Sequence, residues 1–232
     1  MSSRIIAWLV PSAPNSPADK ASRLPANQPL ATPASSPYLS SIPGLPGTAR
    51  SQLALELRFD HPTKQKGTFV IGTSPECDIV LPPHARVSKR HCAISFDAGS
   101  RLVLRDFSEH GTQVWYDWEC SGDQTGYSWV LSGPSDGFPA TVNRIIIDIQ
   151  GVRFHVVLND HSADWEGYEA QLDAFCGEDV SAAHCWRGAG GCCGHPQSPV
   201  IQHVFVNEPG EPGDVYLWDT SRPWEPMVKA SA

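Results

Sequence analysis

A short basic stretch, RVSKRH at residues 86–91, contains residue types that could bind a phosphate group. Ser88 supplies a hydroxyl donor, and three cationic residues surround it: Arg86, Lys89 and Arg90. A phosphate dianion needs such donors and charges, presented from a loop whose ends are held by rigid strands. His91 follows Ser88 by three positions and leads into apolar residues. The stretch is therefore either a phosphate-binding loop at the rim of a sheet or a solvated turn with a structural histidine behind it.

A second cluster combines thiol and imidazole groups within a short distance along the chain: His184, Cys185, Cys192, Cys193 and His195. Zinc prefers these ligands. The spacing fits no standard zinc finger, however, and adjacent Cys192 and Cys193 cannot easily reach one ion. No serine or cysteine has a general-base partner that a motif would identify. We therefore expect a Cys-rich linker, no metal, no cofactor and no catalytic residues.

Charge and hydropathy restrict the partners and the compartment. The 232-residue chain has a formal net charge of -8, which argues against nucleic-acid binding because such proteins carry a clustered positive excess. No apolar run approaches the roughly 20 residues that cross a bilayer, and IIAWLV at residues 5–10 lacks the features of a signal peptide. The 7 cysteines are unevenly spaced, as is typical of a reducing compartment. We expect a protein of the nucleus or cytoplasm with neither a nucleic-acid nor a membrane partner.

Composition and periodicity divide the chain into four segments. Residues 1–50 are rich in Pro, Ser and Ala without a sustained period, which predicts a disordered arm. Residues 51–159 alternate between apolar and polar positions in short runs separated by Gly, Pro, Ser and Asp, which predicts an all-β sandwich. The predicted strands cover residues 53–59, 68–72, 77–81, 91–96, 101–106, 112–118, 128–132, 144–150 and 152–158. Near Gly151, the sequence IQGV predicts a tight hairpin turn.

The pattern changes after Leu158. Trp165, Tyr168, Leu172 and Phe175 recur at spacings of three, four and three, which predicts a helix lying on the sandwich and ending near Cys176. The remainder of residues 160–199 is Gly-, Cys- and His-rich without a period. Residues 200–232 return to β-like alternation. We expect a short helical and irregular extension after the sandwich.

Several separated motifs in this β pattern together resemble the forkhead-associated (FHA) domain family. They are Gly72 at a strand end, CDIVL at 77–81, the pair Ser88 and His91, and SEHGT at 108–112. The resemblance covers about residues 53–158. It implies an FHA-type β-sandwich that binds phosphothreonine peptides through loops at one end and has no catalytic activity.

The resemblance also implies a role for individual residues. Its phosphopeptide-binding positions fall on Thr73, Arg86, Ser88, Lys89, Ser108 and His110. Ser88 would donate its hydroxyl to the phosphate, Lys89 would add charge, and Arg86 would face side chains on the C-terminal side of the phosphothreonine. The positions that support the loops fall on Gly72, His91, Gly111 and Thr112.

The chain departs from the family pattern at several of these positions. Thr73 stands where most members carry an arginine that pairs with the phosphate, and one charge-assisted hydrogen bond contributes about 1.5–3 kcal/mol. His110 and Trp115 stand where asparagines are common, and Glu109 would repel a nearby phosphate. A phosphate-independent interaction or regulatory role is therefore the alternative hypothesis.

The C-terminal tail, residues 200–232, carries a second resemblance. Gly210, Gly213, Val215 and Lys229 are spaced like the glycine-rich loop and strand lysine of a protein kinase. With the FHA pattern before it, the chain resembles the amino-terminal part of filamentous-fungal serine/threonine kinases that contain an FHA domain, truncated after the lysine strand. The His-Arg-Asp, Asp-Phe-Gly and Ala-Pro-Glu motifs are absent from the sequence, which excludes phosphoryl transfer by this chain. The tail is thus either a kinase-like remnant or a loosely ordered extension.

Overall fold

The protein is a two-sheet β-sandwich with few helices, as the sequence predicts. Its computed structural model describes residues 4–34, 52–97, 99–117, 119–132, 144–177, 215–218 and 226–230. Short strands with alternating apolar residues place one face of each sheet on a shared core, in which Leu55, Ile94, Leu104 and Phe154 are fully buried or nearly so.

The larger sheet has seven strands: β1 (Ile5–Pro11), β2 (Ala31–Pro33), β3 (Leu53–Arg58), β8 (Gln113–Tyr116), β9 (Glu119–Cys120), β11 (Ile145–Ile149) and β12 (Val152–Leu158). Their spatial order is β2-β3-β1-β12-β11-β8-β9, and all pairs in this sheet are antiparallel. The predicted hairpin near Gly151 is confirmed. Gln150 and Gly151 both have positive φ angles, 50° and 91°, as a two-residue type I′ turn requires.

The smaller sheet has five strands: β4 (Thr68–Gly72), β5 (Ile79–Val80), β6 (Cys92–Phe96), β7 (Leu102–Asp106) and β10 (Ser128–Ser132). Their order is β10-β7-β6-β4-β5, and only the short β4–β5 pair is parallel. The strands predicted from the period of two are confirmed, although several are one to three residues shorter than expected.

The predicted disordered arm is wrong for residues 4–34. Strand β1 lies in the interior of the larger sheet and pairs with both β3 and β12. Its side chains are buried on both faces, since Leu9 packs in the main core while Trp8 and Val10 belong to a second apolar cluster. A strand buried on both sides shows an unbroken apolar run rather than alternation, so periodicity does not reveal it.

A compact insertion between β1 and β3 covers one side of the sandwich. It contains helix α1 (Pro17–Ser22), a 3₁₀ helix (Pro25–Leu30) and β2. Ser16 caps α1 by accepting a hydrogen bond from the Asp19 N–H. At one end, β2 extends the larger sheet beside β3. At the other, fully buried Asn27 acts as a partner for the edge strand β5.

Asn27→Ala is expected to lower the free energy of unfolding by about 2–4 kcal/mol. The Asn27 amide donates to the Val80 carbonyl (2.7 Å) and to the Ala21 carbonyl (2.8 Å), and its Oδ1 accepts from the Val80 N–H (2.8 Å). Each buried backbone group that loses its partner costs about 1–3 kcal/mol. Urea denaturation measures the change, and Gln28→Ala, at an exposed position of the same helix, is the control. Equal losses in the two variants would contradict the edge-pairing role.

The predicted C-terminal helix is confirmed as α2 (Trp165–Cys176). Asp164 caps its first turn through a 3.0 Å bond from the Gly167 N–H. The helix buries Tyr168, Leu172 and Phe175 against the end of the sandwich at which β3 and β6 finish. It therefore closes the end opposite to the one from which β6 begins.

The tail contributes a two-stranded antiparallel hairpin, β13 (Val215–Trp218) and β14 (Pro226–Ala230). Lys229 lies in β14, across from Tyr216. The predicted linker and its Cys- and His-rich cluster at 184–195 lie outside the described residues, as do Gly210 and Gly213. Within the described part of the chain, none of the helices is both long and apolar enough to span a bilayer.

Candidate functional site

Three loops meet at the open end of the sandwich. The first follows β4 (residues 73–78), the second joins β5 to β6 (81–91), and the third joins β7 to β8 (107–112). Because β4 and β7 are both antiparallel to β6, the last residues of β4 and β7 lie at the same end of the sheet as the first residue of β6. The basic stretch of the second loop is thereby placed between the other two.

Backbone hydrogen bonds tie the first loop to the second. The Thr73 N–H donates to the Ser88 carbonyl (3.2 Å), and the Ser74 N–H donates to the Lys89 carbonyl (3.0 Å). Gly72 allows this close approach, since a Cβ atom at this position would lie 2.2 Å from the Lys89 carbonyl oxygen. Only glycine fits where two backbones come this near to each other.

His91 joins the second loop to the third. Its ring is fully buried, its Nδ1 accepts from the Ser88 N–H (3.1 Å), and its Nε2 lies 3.1 Å from the Gly111 carbonyl oxygen. These partners require a neutral ring protonated at Nε2. Burial lowers the pKa of His91, in keeping with that neutral form. His91 thus holds Ser88 in place relative to the third loop.

Asp106, the last residue of β7, organises the third loop, and it is not among the residues predicted from the sequence. Its buried carboxylate accepts from the Ser108 hydroxyl (2.7 Å), the Ser108 N–H (3.1 Å), the Thr112 hydroxyl (2.7 Å) and the Gly126 N–H (3.0 Å). An aspartate two residues before a serine at a strand end was the available signal, because such carboxylates bond to their own loop. Four donors on one buried carboxylate make this loop rigid.

Ser108 belongs to this internal network and not to the exposed rim. It is 8% exposed, its hydroxyl donates to Asp106, and the same oxygen accepts from the Gly111 N–H (2.8 Å). Gly111 has a φ of 81° and packs on the backbone of Gln124. The structure therefore places Ser108 with the loop-supporting positions Gly111 and Thr112.

The exposed rim is formed by the remaining candidate residues. The half-buried Ser88 accepts a 3.4 Å hydrogen bond at Oγ from the Glu109 N–H, which leaves its own O–H able to donate to a ligand. Lys89 and His110 are exposed beside it. The Thr73 hydroxyl lies 3.5 Å from the Ser88 carbonyl oxygen, on the same rim.

Two further residues complete the rim and were not found from the sequence. Asp123 Oδ2 lies 3.8 Å from the Arg86 guanidinium. Gln150, in the β11–β12 turn, has its two Nε2 hydrogens within reach of three acceptors: the carbonyls of His110 (2.8 Å) and Gly111 (2.8 Å) and Asp123 Oδ1 (3.0 Å). The rim therefore carries cations and carboxylates side by side, and hydrogen bonds from the Gln150 side-chain amide connect its loops.

A comparison with family models identifies the region that contains these loops. The FHA domain model matches residues 69–115, from β4 to β8, a segment that includes all three loops. The chain contains an FHA domain. An FHA domain is a binding module and not a catalytic one. No curated protein sequence matches the chain.

Solved structures similar to this chain include FHA proteins. One is a crystal structure of Rad53 with AMP-PNP (19% identity, 49% of this chain, 25% of that chain, TM-score 0.32). Another is Mycobacterium tuberculosis EmbR with a low-affinity phosphopeptide (23% identity, 48% of this chain, 24% of that chain, TM-score 0.31). A third is the N-terminal FHA domain of S. cerevisiae Rad53 with a phosphothreonine peptide (23% identity, 40% of this chain, 68% of that chain, TM-score 0.28). The matched region spans about a quarter of the first two proteins' chains.

Proposed function

We propose that this FHA domain binds phosphothreonine peptides at the open end of the sandwich. The observation that carries the proposal is the placement of Ser88, whose hydroxyl lies at the junction of the second and third loops with the exposed Lys89 next to it. The solved Rad53 FHA domain with its phosphothreonine peptide supports the ligand class. A hydroxyl donor and an ammonium group provide what a phosphate dianion needs.

Each rim residue has a proposed role. Ser88 donates to a phosphate oxygen, Lys89 supplies the main positive charge, and the Thr73 hydroxyl adds a neutral donor. His110 lies where it can contact the peptide backbone, and Arg86 faces residues beside the phosphothreonine. Ser108 supports the loop from inside, together with Gly72, His91, Gly111 and Thr112.

Ser88→Ala is expected to weaken phosphothreonine-peptide binding by about tenfold or more. The change removes one hydrogen bond to a charged group, and such a bond is worth about 1.5–3 kcal/mol. The measurement is a titration of the full chain with a degenerate phosphothreonine peptide pool and with its unphosphorylated twin, at low and moderate salt. Binding should require the phosphate and should weaken with salt.

Ser162→Ala is the matched control, because Ser162 is an exposed serine that precedes α2 at the opposite end of the sandwich. It should bind like the unaltered chain. Equal affinity of the unaltered chain for phosphorylated and unphosphorylated pools would contradict the proposed function.

A second candidate is a phosphate-independent interaction module. Two acidic residues of the rim favour this alternative: Glu109, whose N–H donates to Ser88 Oγ, and Asp123, which pairs with Arg86. The uncharged Thr73 on the same rim favours it as well. It predicts that Ser88→Ala leaves capture of a protein partner unchanged. Loss of capture in that variant would exclude it.

For the whole chain we propose a non-enzymatic adaptor that acts in the nucleus or cytoplasm. A net charge of -8 supports a protein or peptide partner over nucleic acid, and the adaptor has no membrane partner. The tail, with Lys229 in a strand, would be a kinase-like remnant or a loosely ordered extension. Incubation of the chain with ATP should give no turnover above that of a blank, and clear turnover would overturn the proposed adaptor role.

A further inference from the structure

The ion pair between Arg86 and Asp123 crosses the proposed binding rim. We infer that Asp123 determines peptide selectivity by occupying Arg86, so that the domain discriminates against phosphothreonine peptides with acidic residues near the phosphothreonine. This inference rests on the proposed function, because it concerns the residues that flank the same phosphate.

The position of Asp123 is set by hydrogen bonds from one strand and one turn. Its Oδ1 accepts from Gln113 Nε2 (3.2 Å), in β8, and from Gln150 Nε2 (3.0 Å), in the β11–β12 turn. Its Oδ2 is thereby directed toward the Arg86 guanidinium, 3.8 Å away. The two amides hold the carboxylate in one orientation, so its negative charge stays on the rim when a ligand arrives.

Arg86 belongs to the same loop as Ser88 and remains accessible. Its side chain is 55% exposed, and that of Asp123 is 37% exposed, so a peptide side chain can approach both. Two contacts cross between neighbouring loops, one from Arg86 to Asp123 and one from Glu109 to Ser88. An extended peptide rises about 3.3 Å per residue, so a residue a few positions from a phosphate held at Ser88 reaches Arg86.

An acidic peptide residue meets two unfavourable effects at this point. It competes with Asp123 for the Arg86 guanidinium, and it brings a second negative charge next to the Asp123 carboxylate, which Gln113 and Gln150 hold on the rim. Glu109, exposed on the third loop, adds a further negative charge to the rim. A neutral or basic peptide residue meets neither effect. The ligand class is therefore a phosphothreonine peptide with neutral or basic neighbours.

Asp123→Asn tests the inference with little change in shape, because the asparagine oxygen can still accept from Gln113 and Gln150. The probes are one phosphothreonine peptide with alanine at all flanking positions and a set with aspartate at each flanking position in turn. The readout is the ratio of the two affinities for each position. For at least one position, Asp123→Asn should raise relative affinity for the aspartate peptide by about two- to fivefold, the range of an exposed ion pair.

Asp173→Asn is the matched control, since it removes one negative charge from the exposed face of α2 at the other end of the sandwich. Its affinity ratios should equal those of the unaltered chain, and the gain in Asp123→Asn should shrink at high salt. If the unaltered chain binds the peptides and the Asp123→Asn ratios match those of Asp173→Asn, the selectivity role is overturned while the proposed function stands. If no phosphothreonine peptide binds, both proposals fall.

Discussion

Gly72→Ala is expected to lower the free energy of unfolding by about 3 kcal/mol and to weaken ligand binding. An added Cβ would lie 2.2 Å from the Lys89 carbonyl oxygen, 2.8 Å from the Lys89 carbonyl carbon and 2.9 Å from the Arg90 Cα atom. All three are backbone atoms, so no side-chain rotation can relieve the overlap. Forcing extra volume into such a contact costs about 1–3 kcal/mol, occasionally more.

The binding effect has the same origin. The added methyl group pushes the first and second loops apart. This lengthens the backbone hydrogen bonds from Thr73 to Ser88 and from Ser74 to Lys89, which position the proposed phosphate donors. Urea denaturation and peptide titration of the same sample measure the two effects. Gly99→Ala is the control, because its nearest contact would be the Asp97 carboxylate at an ordinary 3.4 Å. A Gly72→Ala variant as stable as Gly99→Ala would refute the close-approach argument.

Phe175→Ala is expected to lower the free energy of unfolding by about 3–5 kcal/mol, the usual cost of truncating a buried phenylalanine. Phe175 is 6% exposed, and its ring centroid lies 5.4 Å from that of Phe69, 6.0 Å from that of Phe59 and 6.2 Å from that of Phe96. Phe69 and Phe96 belong to strands of the smaller sheet, and Phe59 directly follows β3 of the larger sheet. Removing Phe175 therefore leaves a cavity where α2 closes the sandwich.

Trp165→Ala, in the same helix, is the comparison for Phe175→Ala. Trp165 is 38% exposed, and its ring packs beside Tyr168 at 4.9 Å. We expect its loss to cost about 1 kcal/mol or less, as for most surface changes. The folded fraction of Phe175→Ala should keep its peptide affinity, because the loops lie at the opposite end. A similar loss of stability in both variants would show that α2 does not close the core.

The elements with a clear period could be predicted from the sequence. Leu53, Leu55 and Leu57 alternate with polar or small residues in β3, and the apolar residues of α2 recur at helical spacing, so both elements were found. Strand β1 could not be found this way. Its run of apolar residues fills both faces of a buried strand, and only its pairing with β3 and β12 reveals its place.

The insertion between β1 and β3 could not be predicted from the sequence either. Residues 17–33 have the Pro- and Ala-rich composition of a disordered segment, and their helices are too short to be stable alone. Contacts with strands of both sheets stabilise them, most directly through Asn27 and Val80, which lie 53 positions apart. Such long-range contacts leave no local signal in composition or period.

At the candidate site, residue types and spacing were enough to predict the family resemblance, the basic loop around Ser88 and the bracing histidine His91. The inward hydrogen bond from Ser108 to Asp106 and the ion pair between Asp123 and Arg86 could not be predicted without the folded chain. A side chain's type sets which interactions it can make, but its partners depend on which loops the two sheets bring together. Arg86 and Asp123 are far apart along the chain and meet only because the sandwich places their loops at one end.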